Sequence, residues 1–174
     1  SPEKFWDEIK SFLKDKVIST EKLNLDTALG RILAEDLYSP VDLPPFSRST
    51  VDGYAVKAAD TAGASAAMPT YFELIGSIEM GAATELKLKT GEAAAIPTGG
   101  MLPAGADSVL MIEDTEKIED NTIESFRALA AGENLVQKAE DIAAGELLFK
   151  KGHKMMARDI GALAGLGITE FKGA

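Results

Sequence analysis

The sequence contains no cysteine, which removes a disulfide framework and any thiolate-ligated metal site at the outset. It has a single histidine, His153, so a site built from several imidazoles is excluded too. Basic residues are in short supply: 18 Lys and Arg stand against 28 Asp and Glu, for a net charge of −10. So acidic a chain repels nucleic acid and anionic membranes over most of its surface. An anionic ligand is still admissible, because backbone N–H groups or a bound cation create a local positive site. No eighteen-residue apolar run occurs, so no membrane span is expected. The opening Pro2-Glu3-Lys4-Phe5-Trp6-Asp7-Glu8 lacks the basic start and apolar stretch of a signal peptide. The expected place of action is therefore the cytoplasm.

What is present suffices to fold. Hydrophobic residues make up 45% of the 174 positions, enough for one ordinary domain or two small ones. Ser1 and Pro2 read as the N-cap and first position of a helix. Phe5, Ile9, Phe12 and Leu13 carry the helical spacing on to about residue 17, with Phe5 and Trp6 expected in a core or interface. Asp26 is placed to cap a second helix, Thr27 to Ala34, and Ser39 to Phe46 is a proline-rich extended linker. From about Val51 to Lys138 the texture changes to short β-branched or apolar runs broken by turn signals. Tyr71–Ile78, Ser108–Glu113, Lys117-Ile118 and Thr122–Phe126 read as strands, the last two joined through Glu119-Asp120-Asn121. Beyond Asp141 a hairpin is expected from Glu146–Phe149, a Lys151-Gly152 turn and His153–Met155. A helix from Asp159 to Leu166 and a strand from Ile168 to Phe171 follow. Helices at both ends with β in the middle suggest an α+β chain in which a small β-barrel-like domain is inserted into another domain.

Three stretches could carry chemistry. Asp52-Gly53 sits in Pro44-Pro45-Phe46-Ser47-Arg48-Ser49-Thr50-Val51-Asp52-Gly53-Tyr54-Ala55-Val56. A tight turn accounts for the Asp-Gly pair when it is read alone. Thr98-Gly99-Gly100 can present a hydroxyl and successive backbone N–H groups to an oxyanion such as phosphate or molybdate, although a plain glycine-rich connection would look the same. Glu140-Asp141 pairs two carboxylates that could hold a hard cation such as Mg²⁺; a solvated acidic turn is the commoner case. Arg48 could meet an anion, and His153 is expected to be a solvated hairpin residue. No Walker pattern, dinucleotide fingerprint or Gly-x-Ser-x-Gly elbow occurs.

Taken together and in this order, the three stretches resemble the MoeA and gephyrin E-domain family of molybdopterin molybdenumtransferases. Pro44-Pro45-Phe46 with Ser49 and Asp52-Gly53-Tyr54-Ala55-Val56 is similar to the first family signature. Thr98-Gly99-Gly100 with Pro103, Gly105-Ala106-Asp107, Val109 and Glu113 is similar to the second. Glu140-Asp141-Ile142 with Gly145, Gly152 and Leu166-Gly167-Ile168 is similar to the third, with Ala139 where the family has glycine. The resemblance covers nearly the whole chain, and it implies a discontinuous, mostly helical domain over about 1–45 and 139–174 with a small β-domain inserted over about 46–138. It implies insertion of molybdate into adenylylated molybdopterin with release of AMP, assisted by Mg²⁺. It also implies a homodimer, and a molybdopterin-adenylyltransferase as upstream partner. Carried over by motif, it implies Asp52, Thr98 and Asp141 as catalytic residues and Asp52 and Asp141 as metal ligands. Ser49, Thr50, Gly99, Gly100 and Glu140 would contact substrate. It further implies that the pterin-binding domain lies outside this chain, which alone is expected to be inactive. Two rivals compete: a dimerisation or partner-binding module of the same fold, and a β-clip enzyme built on Asp141–Leu166.

Overall fold

Strand formation here follows from backbone partners far away in sequence more than from local helical spacing. The protein is described by a computed structural model covering residues 2–14 and 19–174. In chain order the elements are α1 (Pro2–Lys14), β1 (Glu21–Asn24), β2 (Leu37–Tyr38), β3 (Arg48–Ser49), β4 (Gly53–Val56), β5 (Thr70–Ser77) and β6 (Glu92–Ile96). They continue with β7 (Ser108–Met111), β8 (Thr115–Glu119), β9 (Thr122–Ser125), β10 (Leu135–Val136), β11 (Leu147–Phe149), α2 (Ala157–Gly165) and β12 (Glu170–Gly173). The chain divides into two compact units, Ser1–Pro40 with Gly145–Ala174, and Val41–Ala144.

The discontinuous unit corrects the expected fold class, because it is not mostly helical. The chain as a whole is mostly β, with two α-helices among the described residues. The expected helix from Thr27 to Ala34 is absent. A single 3-10 turn, Leu25–Thr27, ends in a reversal at Gly30, whose φ of +80° is left-handed. So short a segment cannot offset the entropy of nucleating a helix. Its backbone bonds across the chain instead: Ile32 N–H to Ala174 O (3.1 Å), Ala34 N–H to Lys172 O (2.9 Å) and Leu33 N–H to His153 O (2.9 Å). Ala28 and Leu33 are buried, while Leu29 and Ile32, which that helix would have turned inward, are exposed. The hairpin expected at 146–155 is likewise replaced by longer-range pairs. β11 pairs antiparallel with β2, and Lys154 bridges Ile32.

This unit closes with β1 and β12 paired antiparallel, Leu23 opposite Phe171. Its core gathers Leu23, Ala28, Leu33, Met155, Leu163 and Phe171. Lys22–Glu170, Arg31–Glu21 and Lys172–Glu35 pair across the surface. His153 is not the solvated residue expected. It stacks on Phe149, ring centroids 4.6 Å apart, and its Nε2 meets Asp159 Oδ2 at 2.8 Å. The same carboxylate oxygen accepts the Met156 N–H at 2.9 Å and so caps α2. The His153 bond first, and that N–H after it, hold the Asp159 carboxyl below the usual carboxylate range, against the opposing effect of burial. Helix α1 forms as its spacing requires, but Phe5 and Trp6 are exposed, edge to face with each other. The expected extension through residue 17, and Ser1 as its cap, lie outside the described residues.

The inserted unit is a curled six-stranded sheet in the order β7-β4-β6-β5-β9-β8. All neighbours are antiparallel except β5 and β6. Alternation along the central strands sends side chains to opposite faces. Ala55, Ala94 and Val109 enter one core with Ile78, Leu88 and Ile96. Val56, Ala93 and Leu110 enter the other with Phe72 and Ile123. A sheet covered on both faces reads as continuous small and apolar runs rather than strict polar alternation, which is the texture of Gly53–Val56 and Glu92–Ile96. Among the described residues no helix is long and apolar enough to cross a membrane.

Candidate functional site

The first two motifs meet at the end of the β4–β6 ladder. Gly53 pairs with Ile96 on one side of β4 and with Met111 on the other. This fixes Asp52 one residue before the sheet, where its own carbonyl accepts the Ile112 N–H at 3.1 Å. Thr98 lies just past the end of β6. Asp52 Oδ1 accepts two bonds from it, the backbone N–H at 2.7 Å and the hydroxyl at 3.0 Å. Both residues are exposed. These two bonds, the backbone one first, hold the Asp52 carboxyl below the usual carboxylate range. The carboxylate is thus anionic well into acid, and no hydrogen bond falls on its Oδ2 among the described residues. Asp52 lines an open cavity of about 320 Å³ together with Ile78, Ala95, Ile96 and Pro97.

The glycine loop beside it is tightly bonded within itself. Thr98 N–H goes to Asp52, Gly99 N–H to Ser49 O (2.8 Å) and Gly100 N–H to Pro97 O (2.9 Å). The successive N–H groups that the sequence offers to an oxyanion are therefore all engaged, which leaves the Thr98 hydroxyl as the polar group of this loop nearest Asp52. Ser49 is buried, and its hydroxyl is committed to Val51, donating to the carbonyl at 2.6 Å and accepting from the amide at 3.2 Å. Thr50 is exposed, with its N–H on Asn134 O at 3.0 Å. Asp107 of the second motif is structural: its Oδ1 takes the Ala58 N–H at 2.6 Å and ties the end of β4 to the start of β7.

The third motif is held by backbone bonds to the linker. Leu43 O accepts the N–H groups of Asp141 (2.9 Å) and Ile142 (3.2 Å), and Leu43 N–H returns to Ile142 O (2.8 Å). Asp42 reinforces this, taking the Ala144 N–H at 2.8 Å and pairing with Lys138 at 3.1 Å. Glu140 is spent on the Gln137 N–H at 2.7 Å. The Asp141 side chain is exposed and without a hydrogen-bond partner among the described residues, and no bond links it to Asp52 or Thr98. Among the described residues no three His, Cys, Asp or Glu side chains cluster as a ready metal site.

Ala139 explains why glycine suits this position. Its φ is +61°, a left-handed conformation in which a Cβ is strained. Ala139→Gly is therefore expected to raise stability by about 1 kcal/mol, with the backbone unchanged. A urea unfolding curve with an unshifted or lower midpoint would contradict this.

Two larger clefts, of about 370 and 420 Å³, lie in the other unit and contain none of these residues. The first is lined by Glu21, Lys22, Glu35, Glu170 and Lys172, whose charges are already paired with one another or with Arg31. Size alone therefore does not mark the site. The pairing of Asp52 with Thr98 was not visible in the sequence, because 46 positions separate them and no local pattern encodes the contact.

The MoeA N-terminal region (domain I and II) profile matches residues 5–167. The molybdopterin molybdenumtransferase of Staphylococcus epidermidis is 36% identical over 167 residues, covering 94% of this chain and 39% of that protein. The Bacillus subtilis protein of the same name is 40% identical over 140 residues, covering 78% of this chain and 32% of its own. A solved structure of the molybdopterin biosynthesis MoeA protein from Pyrococcus horikoshii superposes with a TM-score of 0.84 at 40% identity, over 96% of this chain and 43% of that one. The chain thus spans between about a third and two fifths of the length of these relatives.

Proposed function

Because the chain belongs to the MoeA N-terminal region family, we propose that it supplies the carboxylate side of a site that inserts molybdate into adenylylated molybdopterin, releasing AMP. The observation that carries this reading is the clasp between Asp52 and Thr98. It brings together residues from two separate motifs and holds one carboxylate ionised, with one oxygen free. Molybdate and the pterin phosphates are anions, and joining them requires positioning and charge neutralisation. The donors present suit Mg²⁺ in its usual mode, held by one or two carboxylates with waters and substrate phosphates, and not in an all-protein cage. Asp52 through Oδ2, and Asp141, are the residues that would hold it, and it would neutralise anionic charge there. Thr98 fixes the Asp52 rotamer, and its hydroxyl faces the same solvent as the free oxygen. Ser49, Gly99, Gly100 and Glu140 act through the turns their hydrogen bonds hold, and the exposed Thr50 is the one of these residues left to meet substrate. Action in the cytoplasm belongs to the same proposal, as does delivery of substrate by a molybdopterin-adenylyltransferase.

Thr98→Val tests the clasp in the complete protein. The backbone bond survives and the hydroxyl bond is lost. Insertion activity is expected to fall roughly threefold to tenfold, the scale of one hydrogen bond. Both bonds lower the Asp52 pKa, so losing one raises it, and the acid limb of the pH–rate profile moves to higher pH. An unchanged rate with an unmoved acid limb would remove Thr98 from the mechanism.

The homodimer is part of the proposal. The exposed Phe5 and Trp6 on α1 support an association role for that helix. Trp6→Glu is expected to weaken dimerisation of the complete protein in sedimentation equilibrium, and an unaltered dimer would dissociate α1 from it.

A further inference from the structure

The exposed hydroxyl of Thr50 has no hydrogen-bond partner among the described residues. Where it stands depends on what holds its backbone. Two segments flank β3. On one edge lies the glycine loop: Ser49 N–H donates to Gly100 O at 3.0 Å, and Ser49 O accepts the Gly99 N–H at 2.8 Å. On the other edge β10 pairs antiparallel, with Leu135 opposite Ser49. Thr50 is tied on this second edge, through its N–H to Asn134 O at 3.0 Å.

Asn134 belongs to none of the three stretches that mark the family resemblance, yet it is doubly engaged. Its φ is +62°, in the left-handed region that asparagine enters more readily than most side chains. While its carbonyl holds Thr50, its side-chain Nδ2 donates to Val109 O at 2.8 Å. The preceding residue completes the attachment, since Glu133 O accepts the Val109 N–H at 3.2 Å. Glu133 is itself fixed through its carboxylate, by Arg127 Nη2 at 2.6 Å and the Ala130 N–H at 3.0 Å. Val109 is buried in β7, the outer strand of the six-stranded sheet, so both of its main-chain groups are closed from outside the ladder. One end of Asn134 is thus on the rigid sheet and the other is on the Thr50 backbone.

We infer that Asn134 is a positioning residue for the site. Its amide fixes it to β7, its carbonyl fixes Thr50, and the Thr50 hydroxyl is thereby presented to substrate two residues before Asp52. Asn134 touches no substrate itself. The role rests on the transferase reading, in which Thr50 meets substrate, while the anchoring rests on the hydrogen bonds alone. Two substitutions isolate the amide. Asn134→Gly keeps the left-handed backbone and removes the donor, and Asn134→Asp keeps the shape but sets a carboxylate against the Val109 carbonyl.

The test is a double-mutant cycle in the complete protein, with insertion measured at varied concentrations of adenylylated molybdopterin. Asn134→Gly and Thr50→Val are each expected to raise KM about threefold to tenfold, the scale of one hydrogen bond, with kcat little changed. The double variant is expected to match Thr50→Val alone, because Asn134 acts through Thr50. A merely structural role would add its own loss to that of Thr50→Val. Hydrogen exchange gives a second reading that needs no activity. In Asn134→Gly the Thr50 amide should exchange about tenfold faster, while the Gly99 amide, on the opposite edge of β3, keeps its protection. Asn134→Asp should behave in the same way. An unmoved KM in either single variant, additive effects in the double variant, or release of the Thr50 and Gly99 amides together would each overturn the positioning role. The transferase reading is judged apart from this, by insertion activity on Asp52 substitution. Loss of that activity beside an unmoved KM in Asn134→Gly would leave the function standing and remove only the role of Asn134.

Discussion

Gly53→Ala is expected to destabilise the inserted unit by about 3 kcal/mol or more, a large effect for one methyl group. A Cβ on Gly53 would lie 1.8 Å from the carbonyl oxygen of Leu110 and 3.2 Å from the backbone nitrogen of Ile112. Neither is a flexible side-chain end, so β4 and β7 would have to part where Gly53 pairs with Met111. The same ladder positions Asp52, so site and fold would suffer together. Gly161 is the control. It lies inside α2, and a Cβ there would meet nothing within 4 Å. Gly161→Ala should stabilise by roughly 0.5–1 kcal/mol through the smaller entropy of the unfolded chain. Urea unfolding monitored by circular dichroism separates the two, and a Gly53→Ala midpoint equal to the parent's would refute the close-approach argument.

That glycine also shows why part of the fold was hidden in the sequence. Asp52-Gly53 reads locally as a turn, yet Gly53 opens the central strand β4, where a neighbouring carbonyl leaves no room for a side chain. The Ala93-Ala94-Ala95 core of β6 has strong intrinsic helix preference, and only its place between β4 and β5 makes it a strand. The β8–β9 hairpin, in contrast, was legible because Glu119-Asp120-Asn121 is a local turn signal between apolar alternations. Helices α1 and α2 were legible from spacing. The expected helix after Asp26 failed because its apolar positions served long-range pairing with residues 153–155 and 172–174. With it went the expectation of a mostly helical discontinuous domain.

The site divides in the same way. Its residue types and order along the chain were readable, since three motifs in sequence define the family resemblance. Their use was not. Thr98-Gly99-Gly100 looks like a cradle of free amides, but the fold spends all three on Asp52, Ser49 and Pro97. Glu140 looks like half of a carboxylate pair, but it caps the turn at Gln137 while Asp141 stays unbonded among the described residues. Hydrogen-bond accounting needs partners, and partners 46 residues apart carry no spacing signal.

The central claim is that the Asp52 charge, held by Thr98, serves molybdate insertion. Asn at position 52 keeps an Oδ1 that accepts both Thr98 bonds, so the loop stays closed and the change is confined to charge. The direct measurement is therefore molybdate insertion, followed by AMP release, in the complete protein carrying Asp52→Asn, with its unfolding midpoint recorded alongside. Insertion reduced about a hundredfold or more at an unchanged midpoint is the predicted result, on the scale of losing one preorganised electrostatic group. Full insertion activity in a folded Asp52→Asn protein would contradict the account.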